Sequence, residues 1–199
     1  YLFDNCLAYL KNIKSIYIPS SVKEIETNFT DFSDSLEKIT VEEGNEKYSS
    51  DKEGFVYTYD ERGKILFRAP SGYKKDLIIP RDVKVIGSDS ISTCCVTKKI
   101  FVPSNVKYIE NYAFSTCNDN LISVVIPEGI TRIGTGAFNE NYALTSVTIP
   151  DSVTSIGYAA FDSCESLTSI TIPDSVTSIG EHAFEYCTSL TNINVDENK

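Results

Sequence analysis

The sequence lacks most of the residues on which enzymes and membrane proteins depend. Its 199 residues include no tryptophan, no methionine and one histidine, which leaves little material for acid–base or metal chemistry. No run of about 18 apolar residues occurs, so no membrane-spanning helix is encoded and no membrane insertion is expected. Residues 108–199 contain two basic residues, Arg132 and Lys199, against twelve acidic ones. Such an acidic surface repels phosphate backbones, and nucleic acid is therefore excluded as a general partner.

The beginning of the chain carries no targeting signal. It reads Tyr1-Leu2-Phe3, with no initiator methionine, no basic segment and no apolar signal-peptide core. We therefore expect the sequence to be a fragment of a longer protein whose signal and anchor lie outside it. Hydrophobic residues make up 41% of the sequence, enough to exclude wholesale disorder.

A repeat dominates what is present. Its two clearest copies read IPDSVTSIGYAAFDSCESLTSI from Ile149 and IPDSVTSIGEHAFEYCTSLTNI from Ile172. Prolines mark the copies at spacings of 23, 24, 23 and 23 residues, at Pro80, Pro103, Pro127, Pro150 and Pro173. One such unit cannot bury its own apolar side, so we expect successive coils to stack.

Each copy contains one short strand with the pattern apolar-x-apolar. Side chains alternate along a strand, so the two apolar residues point inward and the middle residue points outward. The proline that follows has no N–H to donate and ends the strand. Eight strands are predicted, at residues 16–18, 39–41, 77–79, 100–102, 124–126, 147–149, 170–172 and 193–195.

The Ala-Phe pairs of the repeat, such as Ala160-Phe161, supply one small and one large interior side chain per coil. The phenylalanines of successive coils are expected to stack into a spine. In the first copy, Cys6 and Leu7 take the Ala-Phe positions, so Cys6 is expected to lie inside the coil.

Cysteines recur at one position of the repeat, with Asn141 between them. Register brings Cys94 near Cys117 and Cys164 near Cys187, which permits two disulfides. The alternative is a buried ladder of reduced thiols, which we favour because side chains in a ladder are parallel and disulfide geometry is stringent. No metal site is predicted, since no CxxC pair occurs and the one histidine lies elsewhere.

The period breaks between Glu42 and Pro80. Two apolar stretches there flank Asp60-Glu61-Arg62-Gly63, which is typical of a β-hairpin turn. Residues 43–76 are therefore interpreted as a degenerate repeat that carries a β-hairpin insertion.

The pattern LxxIxIPxSVxxIGxxAFxxCxx, almost unbroken over residues 144–190, resembles the BspA-like (Treponema pallidum-type) leucine-rich repeat. The resemblance covers nearly the whole chain. It implies a leucine-rich repeat solenoid, mainly β with short helical or 3-10 turns: a single right-handed array of about eight coils over residues 1–199, with a parallel concave sheet. It also implies a bacterial cell-surface or secreted protein, often an adhesin.

The outward positions of the strands supply the candidate binding site. Three consecutive coils hold apolar residues there, namely Ile78, Phe101 and Val125, where most other coils hold polar ones. An exposed apolar patch beside cations exceeds what a passive surface needs. The hypothetical ligand-binding residues are Ile78, Phe101, Val125, Lys75, Lys98, Lys99 and Tyr17. The alternative is that the hairpin insertion or a neighbouring protomer covers the patch.

These observations predict a non-enzymatic module that needs no cofactor and binds a host or bacterial surface protein, an extracellular matrix protein or a glycan. The alternative function is a structural spacer that displays other domains. Catalysis is not expected: His182 occupies a position that holds Ala159, Gly136 and Tyr112 in other coils, which argues for a variable surface site.

Overall fold

The computed structural model of the chain describes residues 1–93, 99–117 and 120–195. The described residues form sixteen short β-strands and no α-helix. In chain order they are β1 (Ser15–Ile18), β2 (Lys38–Val41), β3 (Ser49–Ser50), β4 (Val56–Asp60), β5 (Gly63–Arg68), β6 (Leu77–Ile78), β7 (Val83–Ile86), β8 (Lys99–Phe101), β9 (Tyr108–Ile109), β10 (Ser123–Val125), β11 (Arg132–Ile133), β12 (Ser146–Thr148), β13 (Ser155–Ile156), β14 (Ser169–Ile172), β15 (Ser178–Ile179) and β16 (Asn192–Val195).

The eight predicted strands are all present, in three hydrogen-bonded parallel groups that we together call sheet A. Its members, in order, are β1, β2, β6, β8, β10, β12, β14 and β16, hydrogen-bonded as β1–β2, β6–β8–β10–β12 and β14–β16. The predicted alternation is seen in β8, where Ile100 is buried and Lys99 and Phe101 on either side of it are exposed. The prediction of a β-solenoid with a parallel sheet is confirmed.

A second sheet, which we call sheet B, runs along another side of the coils. Its strand order is β15–β13–β11–β9–β7–β5–β4–β3, parallel from β15 to β5 and antiparallel within the inserted hairpin. In the copies from Val83 onward, the segment that corresponds to SVxxIG supplies one strand each, namely β7, β9, β11, β13 and β15. Sequence reasoning treated this segment only as a return of the chain, because two paired residues show no strand period.

The expected helical or 3-10 turns are wrong for the described residues. The Ala-Phe segments are tight turns whose alternate amides bond to the next coil: Phe138 N–H donates to Ala160 O over 2.8 Å and Phe161 N–H to Ala183 O over 2.8 Å. A left-handed residue stands on each side of the pair, as Ala159 (φ 49°) and Ser163 (φ 58°) do. Because these amides bond between coils, they are not available for a helix.

The Phe spine is confirmed. Phe114, Phe138, Phe161 and Phe184 stack with ring centroids 5.0, 5.2 and 5.4 Å apart and nearly parallel planes. Offset stacking of this kind stabilises aromatic pairs beyond the area that they bury. The spine therefore fixes the register of the last four complete coils.

The predicted hairpin is present as β4 and β5, with Asp60 paired to Gly63 across a two-residue loop. It joins sheet B, where β5 pairs in parallel with β7. Its side chains alternate between two buried clusters: Val56 packs with the cluster of the first coils, whereas Tyr57 and Leu66 pack with the long cluster of the later coils. The hairpin is thus a layer between two cores.

Arg68, at the end of β5, is fully buried between those cores. Its guanidinium donates to Asp31 Oδ1 (2.6 Å), to Thr30 Oγ1 (3.0 Å) and to the carbonyl of Asp89 (2.8 Å). A buried charge is tolerated only when it is paired and hydrogen-bonded, and Arg68 satisfies that rule with groups from the coils on both sides.

The cysteine ladder contains free thiols. Cys117, Cys164 and Cys187 are buried and unbridged, each donating to a carbonyl of the preceding coil; Cys164 reaches Phe138 O at 3.3 Å. These three thiols stand unbridged in one ladder in the structure, whereas Cys94 lies outside the described residues. Cys6, for which an interior position was expected, is exposed in the structure.

Candidate functional site

The outward positions of sheet A form the row that the sequence singled out. Ile78, Phe101 and Val125 are 66%, 52% and 65% exposed, whereas the residue directly before each of them on its strand is buried. The row continues with Thr148, which pairs in register with Val125. We call Ile78, Phe101 and Val125 the apolar row.

The apolar row is continuous because the three strands pair without a shift. Ile78 stands opposite Phe101, and the pairing of Ile100 with Val124 places Phe101 beside Val125. Neighbouring parallel strands lie about 4.8 Å apart, so the three side chains are in reach of one ligand. A shallow depression of about 170 Å³ lies between Phe101 and Val125.

The inserted hairpin does not cover this face. It pairs with β7 in sheet B, whereas the apolar row belongs to sheet A. The alternative in which the inserted hairpin covers the patch is therefore wrong, and the three side chains are open to solvent in this chain.

The predicted cationic residues differ in whether an acidic partner already counters their charge. Lys99 is exposed on the same strand and the same side as Phe101. The ammonium of Lys75 forms an ion pair with Glu53 Oε2 at 2.9 Å and lowers the pKa of that carboxyl. The Tyr73 hydroxyl donates to the same oxygen at 3.2 Å. Lys98 lies outside the described residues. The charge of Lys75 is already countered, so the apolar row is the stronger feature of the site.

Tyr17 is exposed at the outward position of β1, but the structure does not bring it to the apolar row. Thr40 of β2 pairs beside it, and the inserted coil follows before Ile78. Its hydroxyl bonds to Glu42, which raises the pKa of the Tyr17 phenol. Glu42 stands where later copies have proline, and its carboxylate accepts the Ser20 N–H at 2.7 Å.

One exposed apolar residue close to the apolar row in sequence was missed. Ile122, directly before β10, is 42% exposed. Other copies hold Thr145, Thr168 and Thr191 at this position. The signal was in the sequence, as a departure from the repeat at a position that sequence reasoning did not compare.

Other chemistry finds little support in the described residues. His182 lies on the surface with Nδ1 2.6 Å from Glu185, and its ring meets the edge of Tyr158. No group of three or more potential metal ligands occurs among residues 1–93, 99–117 and 120–195. None of the described segments is a helix with the length and apolar character that a bilayer crossing requires.

Known structures resemble this fold over most of its length. A leucine-rich cell surface protein of Faecalibacterium prausnitzii superimposes with a TM-score of 0.83 at 30% identity, over 94% of this chain and 49% of its own. A leucine-rich repeat protein of Eubacterium ventriosum gives 0.79 at 25%, over 91% and 48%. The T. pallidum leucine-rich repeat protein gives 0.67 at 26%, over 72% and 70%. The chain thus spans about half the length of the first two.

Sequence comparison agrees with the structural one. No curated protein matches the chain significantly. The family model of the BspA type leucine rich repeat region matches six copies, at residues 1–53 and 117–199. That match covers more than half of the chain and includes Phe138, Phe161 and Phe184 of the Phe spine. The chain therefore belongs to the BspA-type leucine-rich repeat family.

Proposed function

We propose that this chain is a non-catalytic recognition module of a bacterial cell-surface or secreted protein. Residues 1–199 would act as a single repeat domain, with residues 43–76 as its degenerate coil. The ligand is a host or bacterial surface protein, an extracellular matrix protein or a glycan. The similarity to a cell surface protein of F. prausnitzii supports the location.

The apolar row carries the proposal. Three consecutive exposed apolar side chains occupy a row in which the following coils hold Thr148 and Thr171. Exposed apolar clusters with a polar surround are typical of interaction sites on otherwise soluble surfaces. Lys99, on the same strand face, adds a positive charge at the edge.

The test replaces the row by what the array itself uses elsewhere. A triple variant, Ile78→Thr, Phe101→Thr and Val125→Thr, continues the threonine row and keeps the β-branched preference of strands. The matched control is Thr148→Ser with Thr171→Ser, on the same face. Both are screened beside the unmodified chain on arrays of matrix proteins, bacterial surface proteins and glycans, with melting temperature as the folding check.

A ligand that binds the chain and the control but not the triple variant supports the proposal. Equal binding by the triple variant overturns the site. The polar outward positions after Val125 favour the second candidate function, a spacer that displays other domains. Failure of the unmodified chain to bind any array member overturns recognition in favour of that spacer.

A further inference from the structure

A second groove lies on sheet B, away from the apolar row. It has a volume of about 310 Å³ and crosses β9 and β11. Tyr108 and Arg132 provide its outward side chains, Lys107 stands beside Tyr108, and the hairpin loop contributes Arg62. The inserted hairpin, which leaves sheet A open, therefore builds one wall of this groove.

Arg62 is held in place by two carboxylates. Its guanidinium donates to Asp60 Oδ2 at 2.7 and 2.9 Å and to Glu110 Oε1 at 2.7 Å. The guanidinium carbon lies 5.3 Å from the centroid of the Tyr108 ring. Because its charge is countered and its position fixed, Arg62 orders the tyrosine ring rather than offering a free cation.

Two other cations of the groove have no such partners. Neither Lys107 nor Arg132 forms an ion pair with any residue of the described ranges. A Cβ at Gly129 would lie 2.5 Å from Lys107 Nζ, so the ammonium rests over this glycine. The equivalent positions of later copies hold Ser152 and Ser175, which would not leave that space.

The groove residues are departures from the repeat. Arg132 pairs in register with Ser155, and Ser155 with Ser178, so the array uses serine at this position in the next two coils. Ile109 pairs with Ile133, which places Tyr108 beside Arg132 on adjacent strands. Tyr108 and Arg132 thus stand next to each other on strands whose backbones lie about 4.8 Å apart.

We propose that this groove binds an acidic sugar, carrying a carboxylate or a sulfate. The exposed ring of Tyr108 offers an apolar platform for a sugar ring, and Arg132 and Lys107 supply charge-assisted donors for the acid group. Asn111 lines the groove and uses its side-chain oxygen to accept Thr135 N–H at 2.9 Å, so its NH₂ remains to donate to a hydroxyl. The groove is large enough for one or two rings.

The charge of the whole molecule argues that such binding is local. The chain carries a formal net charge of −10, which disfavours an extended polyanion away from this groove. A peptide rich in glutamate meets the same cations but gains nothing from a flat ring platform. That difference makes the peptide the discriminating competitor.

The experiment is calorimetric titration of the whole chain with hyaluronan and heparin oligosaccharides, a neutral maltooligosaccharide and a glutamate-rich peptide. Both acidic oligosaccharides are expected to bind, with different affinities for hyaluronan and for heparin. Arg132→Ser is expected to weaken this binding about tenfold. Arg132→Ser installs the residue of the next two coils, so the fold is kept. Tyr108→Ser is expected to weaken it similarly. Arg81→Ser, which removes the same charge from an exposed residue outside the groove, is expected to change nothing.

Three results overturn the proposal. The first is the absence of binding by either acidic oligosaccharide. The second is equal binding of the neutral sugar or the peptide. The third is an equal loss in Arg81→Ser and Arg132→Ser, which would indicate nonspecific charge attraction. The triple threonine variant of the apolar row should bind the acidic sugar normally, so this site fails or succeeds independently of the proposed function.

Discussion

At the scale of single residues, one position of the repeat is occupied by two different side chains that make equivalent hydrogen bonds. Asn141 occupies the ladder position that Cys117, Cys164 and Cys187 hold elsewhere. Its buried NH₂ donates to Phe114 O at 2.8 Å and to Phe138 O at 2.7 Å. Cys164 satisfies the equivalent carbonyl of its preceding coil with a thiol. Amide and thiol thus perform the same task, which is to supply a donor to a buried carbonyl.

Asn141→Ala is expected to lower the free energy of unfolding by about 1–3 kcal/mol, because the buried Phe114 carbonyl loses its side-chain donor and the Phe138 carbonyl keeps only the Cys164 thiol. Asn141→Cys is expected to lower that free energy less, because a thiol restores one of the two hydrogen bonds. It also removes the buried Asn141 Oδ1, which has no hydrogen-bond partner among the described residues. Urea unfolding of both variants measures the difference. A cysteine variant as unstable as the alanine variant would contradict this account of the ladder.

Asp89 is expected to make stability depend on pH. Burial raises its pKa above the ordinary 3.8, opposed by the Thr27 hydroxyl at 2.9 Å and by Arg68, and reinforced by Asp31 and Asp4. The folded protein therefore retains a proton that the unfolded chain has released, and stability falls as pH rises through that interval.

Asp89→Asn removes the buried charge, keeps an acceptor for Thr27 and suits the left-handed backbone at this position (φ 54°). We expect it to stabilise the protein at pH 7 and to have a smaller effect at pH 3.5, where the carboxyl is protonated. Urea unfolding at both pH values is the measurement, with the exposed Asp174→Asn as control. A gain of the same size at both pH values would refute the titration of Asp89.

Among the elements, the Ala-Phe turns join successive coils in two ways. They stack the phenylalanine rings and also carry backbone bonds between coils. Sequence reasoning found the rings because an Ala-Phe pair recurs at a fixed place, and it found sheet A because alternation and a following proline mark each strand. It missed sheet B, since strands of two residues have no period, and it misread the turns, since bonds to the next coil replace those of a helix.

Phe138→Ala is expected to cost about 3–5 kcal/mol, because it opens a cavity between two stacked rings in a close-packed interior. Phe101→Ala is the matched control: it makes the same substitution on a ring that is half exposed, and should cost less than about 1 kcal/mol. Equilibrium unfolding in urea with an unchanged slope measures both. Equal losses would contradict the assignment of one ring to the spine and the other to a binding face.

At the scale of the whole molecule, the array contains two cores instead of one. The hairpin separates them, and Arg68 ties the coils on either side through Asp31 and the Asp89 carbonyl. The sequence could not predict this layer, because an arginine at the end of a hairpin strand ordinarily lies in solvent. The candidate site could be predicted in part. The repeat register alone was enough to predict the apolar row. The ion pair that counters the charge of Lys75 could not be predicted, because its partner Glu53 lies in the irregular coil.

Arg68→Met is expected to destabilise the protein by about 3–5 kcal/mol, because Asp31 is left without its charged partner in a mostly buried place. Adding Asp31→Asn should recover part of that loss. We further expect the single variant to separate unfolding into two transitions, with residues 1–50 losing hydrogen-exchange protection at lower urea than residues 120–190. Hydrogen exchange followed by mass spectrometry tests this; simultaneous loss of protection throughout would show that the hairpin, rather than Arg68, couples the cores.

The direction of the backbone bonds has a mechanical consequence. From Phe138 to Ala160 and from Phe161 to Ala183 the bonds run from coil to coil, along the stack. A pull on the two ends of the stack therefore loads the coils in series, so each coil carries the same force and the one with the weakest contacts to its neighbour detaches first. Each detached coil of 23 residues would release about 80 Å of chain. Under sudden tension, such an array lengthens in small steps and absorbs work at every one of them.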